Sequence, residues 1–161
     1  MGPLNKKRSE FKIEKLGLQK HPEGGYYTET YRSFDKIEGI NRNVQTCIYF
    51  LLTTNDVSRF HRIKSDEIWF HHEGGNLSIH TLDENGHRIH QLGQIGNNNY
   101  QPQILIKKNT IFGATLDEKD AYVLVSCTVA PGFDFEDFEL MNRSQLLSDF
   151  PENEAIICQL T

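Results

Sequence analysis

Short runs of β-forming residues, separated by turn residues at intervals of about ten residues, most constrain what this chain can fold into. Residues 44–53 and 121–130 are the most apolar runs, and their β-branched and aromatic content favours buried strands over helices. Asp83-Glu84-Asn85-Gly86 predicts a hairpin, because Asn-Gly is a preferred pair in tight hairpin turns. The pattern therefore predicts an all-β antiparallel sandwich or barrel, with a jelly roll as the leading candidate.

The predicted strands have no helical crossovers between them, which argues against a parallel sheet. They comprise residues 26–33, 44–53, 59–63, 67–72, 76–82, 87–93, 102–107, 110–116, 121–130 and 133–140. Residues 94–100 are predicted to form a loop with Asn97, Asn98 and Asn99 at its tip. At 161 residues, the whole chain is expected to fold as a single domain.

Helices are predicted only toward the two ends of the chain. Residues 9–16 have helical spacing, with Ser9 as the N-cap and Gly17 as the residue that ends the helix. Residues 143–150 form a second predicted helix, and Pro151 suits the first turn of a third, which runs to Leu160. Residues 1–8 are expected to form a flexible arm.

Composition excludes several classes of protein. The chain has 17 Lys and Arg against 22 Asp and Glu, a formal net charge of −5, and its basic residues are scattered apart from Lys6, Lys7 and Arg8. This balance argues against nucleic acid and against anionic membranes as partners. No apolar run approaches the roughly 20 residues of a membrane helix, and the N-terminus lacks the apolar stretch of a signal peptide. We therefore expect a cytoplasmic protein.

The three cysteines, Cys47, Cys127 and Cys158, form no C-x-x-C pair, which excludes a zinc ribbon or a dithiol redox motif by spacing. Cys47 and Cys127 lie inside apolar runs. We interpret them as small core residues in a reducing compartment, with a catalytic thiol as the less favoured alternative.

Residues 58–75, SRFHRIKSDEIWFHHEGG, carry the densest group of chemically active side chains. Strand residues alternate between faces, so Glu67, Trp69 and His71 are predicted to share one face. An acid, an indole and an imidazole together suit a binding pocket better than a plain core, which makes Trp69 and His71 candidate ligand-binding residues. A short turn would bring His61 beside Glu67, and these two are the candidate catalytic pair. The alternative is that both lie on a solvent face.

The spacing His61-x-Ile63-x-x-x-Glu67, followed by Gly74, resembles the first cupin motif, in which His-x-His is followed by Glu and Gly. Over nearly its whole length the chain is similar to the Cupin_5 family, through the stretches LGLQKHPEGGYYTETYRS, SDEIWFHHEGG, PQILI and LVSCTVAPGFDFEDFEL. The resemblance implies a cupin double-stranded β-helix, a jelly-roll barrel that opens onto a small-molecule cavity. It also implies a homodimer. The ligand-binding candidates that it adds are Glu23, Tyr27, Gln103, Phe133 and Phe135.

Many cupins hold a divalent metal with three His and one Glu, and this sequence departs from that pattern. Ile63 stands where the second His would be, and the segment IKKNTIFGA, which resembles the second cupin motif, has Ile111 or Phe112 near the expected ligand position. His61 and Glu67 alone are too few for a tight transition-metal site, which takes at least three protein ligands. We therefore predict no metal and no other cofactor. A metal-dependent dioxygenase or isomerase remains as an alternative.

A metal-independent reaction fits these residues better. Arg59-Phe60-His61 resembles the Arg-Gly-Leu-His segment of deoxysugar 3,5-epimerases, jelly-roll enzymes that use a strand His as base and a Tyr as acid. An imidazole suits proton abstraction next to a carbonyl, and Glu67 is predicted to orient it. The acid is left open among three tyrosines, Tyr26, Tyr27 and Tyr49. Either of two arginines, Arg32 and Arg59, could bind a diphosphate at the cavity mouth.

Two classes of function follow for this small-molecule cavity. The first is an isomerase or epimerase that acts on a sugar or another polar carbonyl compound by acid–base catalysis. The second is a non-catalytic module that binds or senses a small ligand.

Overall fold

The computed structural model describes residues 2–96 and 99–161, so Met1 and two residues of the predicted loop tip, Asn97 and Asn98, lie outside the described residues. The chain between the terminal helices folds into strands. They are β1 (Gln19–Lys20), β2 (Tyr26–Arg32), β3 (Thr46–Thr53), β4 (Ser58–Ile63), β5 (Asp66–Gly74), β6 (Leu77–Asp83), β7 (Gly86–Leu92), β8 (Gln103–Ile106), β9 (Ile111–Leu116), β10 (Tyr122–Ala130) and β11 (Phe138–Leu140).

The strands form two antiparallel sheets that face each other. One has six strands in the order β1-β2-β3-β10-β5-β8, and the other has five in the order β11-β4-β9-β6-β7. The predicted Asn-Gly hairpin joins β6 to β7, with Asp83 paired to Gly86. The predicted all-β jelly-roll fold is therefore confirmed. Consecutive strands β4 and β5 belong to different sheets, which has consequences for the site.

The interior has a densely packed apolar half. Its side chains come from both sheets and are almost fully buried: Leu52, Leu77, Ile79, Leu92, Ala114, Val123 and Val125. Successive side chains of a strand point alternately inward and outward, and these residues are the inward-facing ones. Their burial therefore follows from the period-two pattern. We call this group the apolar half.

The N-terminal helix differs from its prediction at the beginning. It is α1 (Pro3–Lys15), with Gly2 as its N-cap, so residues 3–8 are helical rather than an arm. Proline suits the first turn because its missing N–H has no partner there in any case. Ser9, predicted as the N-cap, is buried inside the helix, and its Oγ donates to the carbonyl of Lys6. The helix ends before Gly17, which has a positive φ of 63°, as predicted.

The strand predicted over residues 133–140 is mostly not a strand. Residues Phe135–Asp137 form a 3-10 turn, and only Phe138–Leu140 pair with β4. The side chain of Asp134 caps the turn by accepting a hydrogen bond from the backbone N–H of Glu136 at 3.0 Å. Such local hydrogen bonding competes with strand pairing, and the simple alternation of phenylalanines did not reveal it.

The C-terminal helices are confirmed. They are α2 (Arg143–Asp149) and α3 (Glu154–Gln159), separated by a 3-10 turn that begins at Pro151. They pack onto the outer face of the five-stranded sheet through Leu146, Ile157 and Leu160, which contact Phe60 and Leu82. Within the described ranges, every helix is too short or too polar to cross a membrane.

Candidate functional site

A cavity of about 420 Å³ lies between the two sheets, beside the apolar half. Its walls combine polar and aromatic side chains. The polar and charged residues are Gln19, His21, Glu23, Glu29, Arg32, Thr46, His61, Glu67, Cys127 and Asp134, and the aromatic residues are Tyr27, Phe50, Trp69, Phe133, Phe135 and Phe138. A volume of this size suits a small organic ligand.

Seven of the nine residues predicted for the site lie around this cavity. They are Glu23, Tyr27, His61, Glu67, Trp69, Phe133 and Phe135. His71 lies elsewhere, because it pairs with Val125 of the apolar half, and its Nε2 is 3.0 Å from the carbonyl oxygen of Gly75. Gln103 is exposed on the edge strand β8, whose Ile104 and Ile106 face inward instead. The catalytic and binding roles of the seven remain predictions.

His61 and Glu67 line the cavity from different sheets rather than along one hairpin. The expected short turn between β4 and β5 instead carries the chain from one sheet to the other. The carboxylate that contacts His61 is consequently Glu23, with 3.4 Å between His61 Nε2 and Glu23 Oε2. The prediction that Glu67 orients the imidazole is therefore wrong.

Glu23 is buried at the centre of a small polar group. Its Oε1 accepts a hydrogen bond of 2.7 Å from the hydroxyl of Ser58, and its Oε2 lies 3.3 Å from His21 Nδ1. Gly24, with a φ of 113°, helps to place it, because a side chain there would collide with the carbonyl of Val57. The turn at residues 21–25, HPEGG, thus carries two residues of the site, Glu23 and His21.

The environment of His61 defines where its protons lie. Its Nδ1 is 2.7 Å from the carbonyl oxygen of Arg59, which can only accept, so Nδ1 carries hydrogen. Nε2 then faces the carboxylate of Glu23. A bare nitrogen lone pair opposite a carboxylate is unfavourable, so this geometry favours a proton between Nε2 and Oε2.

His21 is a site residue that sequence reasoning missed. Its Nδ1 accepts a weak hydrogen bond of 3.3 Å from the backbone N–H of Glu23. Burial lowers the pKa of His21, with the charge of Glu23 opposing and that of His61 adding to this shift. The ring stacks on Phe135 and meets Tyr27 edge-on, with centroids 6.1 and 4.5 Å away. A His two residues before a candidate carboxylate was the available signal.

Glu67 is held as a neutral acid. Burial raises its pKa to about 8, the charge of Glu23 adds to the rise, and contacts with Cys127 and Trp69 oppose it. The same burial, with the nearby Glu67 and Glu23 charges, raises the pKa of the Cys127 thiol well above its ordinary value. At neutral pH Glu67 is therefore a proton donor, and Cys127 is an un-ionised thiol rather than a nucleophile.

The donor set does not fit the metal site of other cupins. His61 pairs in register with Phe112, whose ring centroid is 4.2 Å from that of His61, and Ile63 lines the cavity. Apolar side chains therefore stand where the two motifs would supply further ligands. Among residues 2–96 and 99–161, no three His, Cys, Asp or Glu side chains form a group that could hold a metal ion.

The remaining tyrosine and arginine candidates divide into those that line the cavity and those that lie outside it. Tyr27 lines the cavity, whereas Tyr26 and Tyr49 pack with α1 on the outer side of the six-stranded sheet. Arg32 lies at the cavity mouth. Arg59 instead donates from its guanidinium to the carbonyl of Pro22 and lies outside the lining.

Known proteins match the chain over most of its length. It is 39% identical to protein SO0799 from Shewanella oneidensis, with a TM-score of 0.87 and coverage of 92% of this chain and 94% of that one. A hypothetical protein from Leishmania major gives 38% identity and a TM-score of 0.88, covering 95% and 98%. Uncharacterized protein YML079W of Saccharomyces cerevisiae is 29% identical over 157 residues, which is 86% of this chain and 78% of that protein.

Oxalate decarboxylase of Bacillus subtilis shares only the fold. The identity is 14% and the TM-score 0.57, over 88% of this chain and 37% of the enzyme. The family model described as cupin superfamily (DUF985) matches residues 10–141. The chain thus belongs to the Cupin_5 family of the cupin superfamily.

Proposed function

We propose that the cavity binds a small polar carbonyl compound and isomerises or epimerises it by acid–base catalysis without a metal. One observation carries the proposal: a neutral carboxylic acid, Glu67, and a proton-sharing pair, His61–Glu23, open into the same buried cavity. Proton transfer to and from a carbonyl compound requires one group that donates a proton and another that accepts one at the same pH.

The reaction can be written with its protons balanced. Glu67 donates its proton to the carbonyl oxygen of the substrate, and the neighbouring carbon gives up its proton to the carboxylate of Glu23. The C–H electron pair forms the C=C bond of a neutral enol, while Glu67 becomes an anion and the His61–Glu23 pair gains one positive charge. Return of a proton to the other face or to the other carbon gives the epimer or isomer.

The supporting residues hold this arrangement in place. Ser58 fixes one oxygen of Glu23 by donating a hydrogen bond to it, and the Arg59 carbonyl fixes the ring of His61. The acid is thus Glu67 and not a tyrosine, and the basic atom belongs to a pair and not to His61 alone. Such preorganisation reduces the rearrangement that proton transfer needs.

The test is loss of α-hydrogen from dihydroxyacetone and cyclohexanone in D₂O, followed by proton NMR. We expect the wild-type protein to accelerate exchange, and His61→Ala and Glu67→Gln to slow the catalysed rate by about 10²–10⁴-fold. Gln103→Ala and His71→Asn, which change residues outside the cavity, serve as matched controls and should retain the wild-type rate. An equal catalysed rate in His61→Ala and the wild type would contradict the proposal.

The non-catalytic alternative gives a different result in the same experiment. A binding or sensing module would bind such compounds while their exchange rate stayed at that of the protein-free solution. The buried acid and the shared proton favour catalysis, because a site that only binds has no need of either.

We also propose a cytoplasmic homodimer, as the family resemblance implies. Exposed hydrophobic side chains on β2 and the segment after it, Tyr31, Phe34, Ile40 and Val44, support an association surface. The cysteines are free thiols, as expected in a reducing compartment. Sedimentation velocity of the wild type and Phe34→Asp tests the dimer, which the variant should weaken. A wild-type protein that sediments as a monomer would refute it.

A further inference from the structure

We infer that the indole N–H of Trp69 is a second hydrogen-bond donor for the substrate oxygen, beside Glu67, and that the cavity selects uncharged carbonyl compounds over anions. The inference rests on the proposed function, because it names the substrate class of the same site. It differs from the sequence-based expectation of a diphosphate-bearing ligand.

Trp69 carries an unmet donor. Its side chain is only 1% exposed and lines the cavity, and its Nε1 has no hydrogen-bond partner among residues 2–96 and 99–161. The indole N–H interacts with the carboxyl of Glu67, but in a geometry that falls short of a full hydrogen bond. Leaving such a group unpaired in the interior costs about 1–3 kcal/mol, so a donor kept in this state is set aside for a ligand acceptor.

The position of this donor suits an oxygen that gains negative charge. Trp69 and Glu67 are two residues apart on β5 and point to the same side of the strand. A ligand oxygen between them would receive the acid O–H and the indole N–H together. Donors placed where charge develops stabilise the enol-forming step more than the ground state.

The cation at the cavity mouth is already engaged. Arg32 makes a paired contact with Glu29, with 2.9 Å from Nε to Oε1 and 2.7 Å from Nη2 to Oε2. Its Nη1 donates to Asn43 Oδ1 at 3.0 Å, and both Nη1 and Nη2 donate to the carbonyl of Phe133 at 3.2 Å. The guanidinium therefore has no free edge for the bidentate binding of a phosphate or carboxylate.

The rest of the lining, as far as the structure describes it, offers no free cation to an anion. Arg32 is the only Lys or Arg among the described lining residues, and it is paired with Glu29. The proton that His61 shares with Glu23 leaves that pair without net charge. An incoming anion would thus lose its hydration without gaining an opposite charge.

The aromatic walls favour a flat, uncharged ligand. Phe133, Phe135 and Phe138 contact one another edge-on, with centroids 5.1 to 6.2 Å apart. They and Tyr27 supply apolar area around the polar group.

The single Trp of the chain makes the test direct, because the indole N–H gives one unambiguous peak in a ¹H–¹⁵N spectrum. The probes are cyclohexanone and cyclohexanecarboxylate, which share a ring and differ in charge. We expect cyclohexanone to move the indole proton downfield in a saturable manner, and cyclohexanecarboxylate to bind at least tenfold more weakly. An indole peak that cyclohexanone leaves unmoved, or equal affinity for the two probes, would overturn the inference.

Two variants separate the donor from the shape of the site. Trp69→Phe keeps an aromatic ring and should weaken cyclohexanone binding about tenfold, as read from backbone amide shifts. Glu67→Gln keeps a donor and should retain binding while the exchange of α-hydrogen is lost. If the indole peak moves but no hydrogen exchanges in the wild type, the proposed function fails and this inference stands. If α-hydrogen exchange occurs but the indole peak does not move, this inference fails and the proposed function stands.

Discussion

The two halves of the barrel interior are built from the same strands with different chemistry. On β10, Val123 and Val125 pack into the apolar half, whereas Cys127 and Val129 further along the strand line the cavity. On β3, Leu52 packs into the apolar half, whereas Ile48 lines the cavity. A single strand can therefore carry a packed core at one end and a polar cavity at the other, because only the inward-facing side chains differ between the two ends.

The difference has an energetic consequence. The cavity half keeps a neutral acid at Glu67 and an unmet N–H at Trp69, and both oppose folding. The apolar half consists of tightly packed side chains whose removal from water drives folding. We infer that the apolar half stabilises the fold, which allows the cavity half to hold polar groups in place for a ligand. Three predictions test this division, from the largest effect to the smallest.

The largest effect is expected at Glu67. Below about pH 4.5 its carboxyl is protonated in both the folded and the unfolded chain. Between pH 4.5 and 8 the unfolded chain releases the proton and the folded chain keeps it, so the free energy of unfolding falls as the pH rises. Across this window Glu67→Gln should gain stability relative to the wild type by on the order of 5 kcal/mol.

Urea denaturation at several pH values measures this difference. Glu84→Gln, at an exposed acid in the β6–β7 hairpin, is the control and should follow the wild type within about 0.5 kcal/mol. If the difference between Glu67→Gln and the wild type stays constant from pH 4.5 to 8, the cavity half holds no such proton.

The next effect contrasts two isoleucines. Ile79 is fully buried in the apolar half, and Ile63 is buried but lines the cavity. Ile79→Ala should lower the free energy of unfolding by about 3 kcal/mol, because it opens a void in close-packed surroundings. Ile63→Ala should lower it by about 1–1.5 kcal/mol, since one side of that residue already faces open volume. Denaturant titration that finds the two equal would remove the distinction between the halves.

The smallest effect is expected at Ser58, whose hydroxyl donates to Glu23. Ser58→Ala leaves a buried carboxylate oxygen with one fewer donor and should cost about 1 kcal/mol of stability. It should also slow α-hydrogen exchange, because Glu23 loses one of the groups that orient it. Ser78→Ala, a buried serine outside the cavity lining, is the matched control for which the exchange rate should not change. An unchanged rate in both variants would remove Ser58 from the positioning residues.

The sequence predicted the fold better than the site, for identifiable reasons. Alternation, apolar runs and the Asn-Gly turn were enough for most of the strands, because each is a local pattern. The pairing of His61 with Glu23 joins a turn to a distant strand, and no local spacing encodes it. The same holds for the separation of β4 and β5 into different sheets, on which the Glu67 prediction depended.

Loop structure accounts for the other differences. The capping hydrogen bond of Asp134 and the contact of Arg42 Nε with Asp137 at 2.6 Å fold the 133–137 segment into a turn, although its phenylalanines alternate. Phe133 and Phe135 still reach the cavity, from a loop instead of a strand. The residue types alone predicted an aromatic wall. The backbone conformation of this segment depends on contacts from elsewhere in the chain.

Glu67 is expected to keep its proton at neutral pH while the cavity opens beside it. The most direct test is a pH titration of the side-chain carboxyl carbons by ¹³C NMR on glutamate-labelled protein, with Glu67→Gln identifying the resonance. We expect this signal to titrate with a pKa of about 8. A midpoint near the ordinary value of 4.5 would contradict it, because Glu67 would then be an anion at neutral pH and could not donate a proton to a carbonyl oxygen.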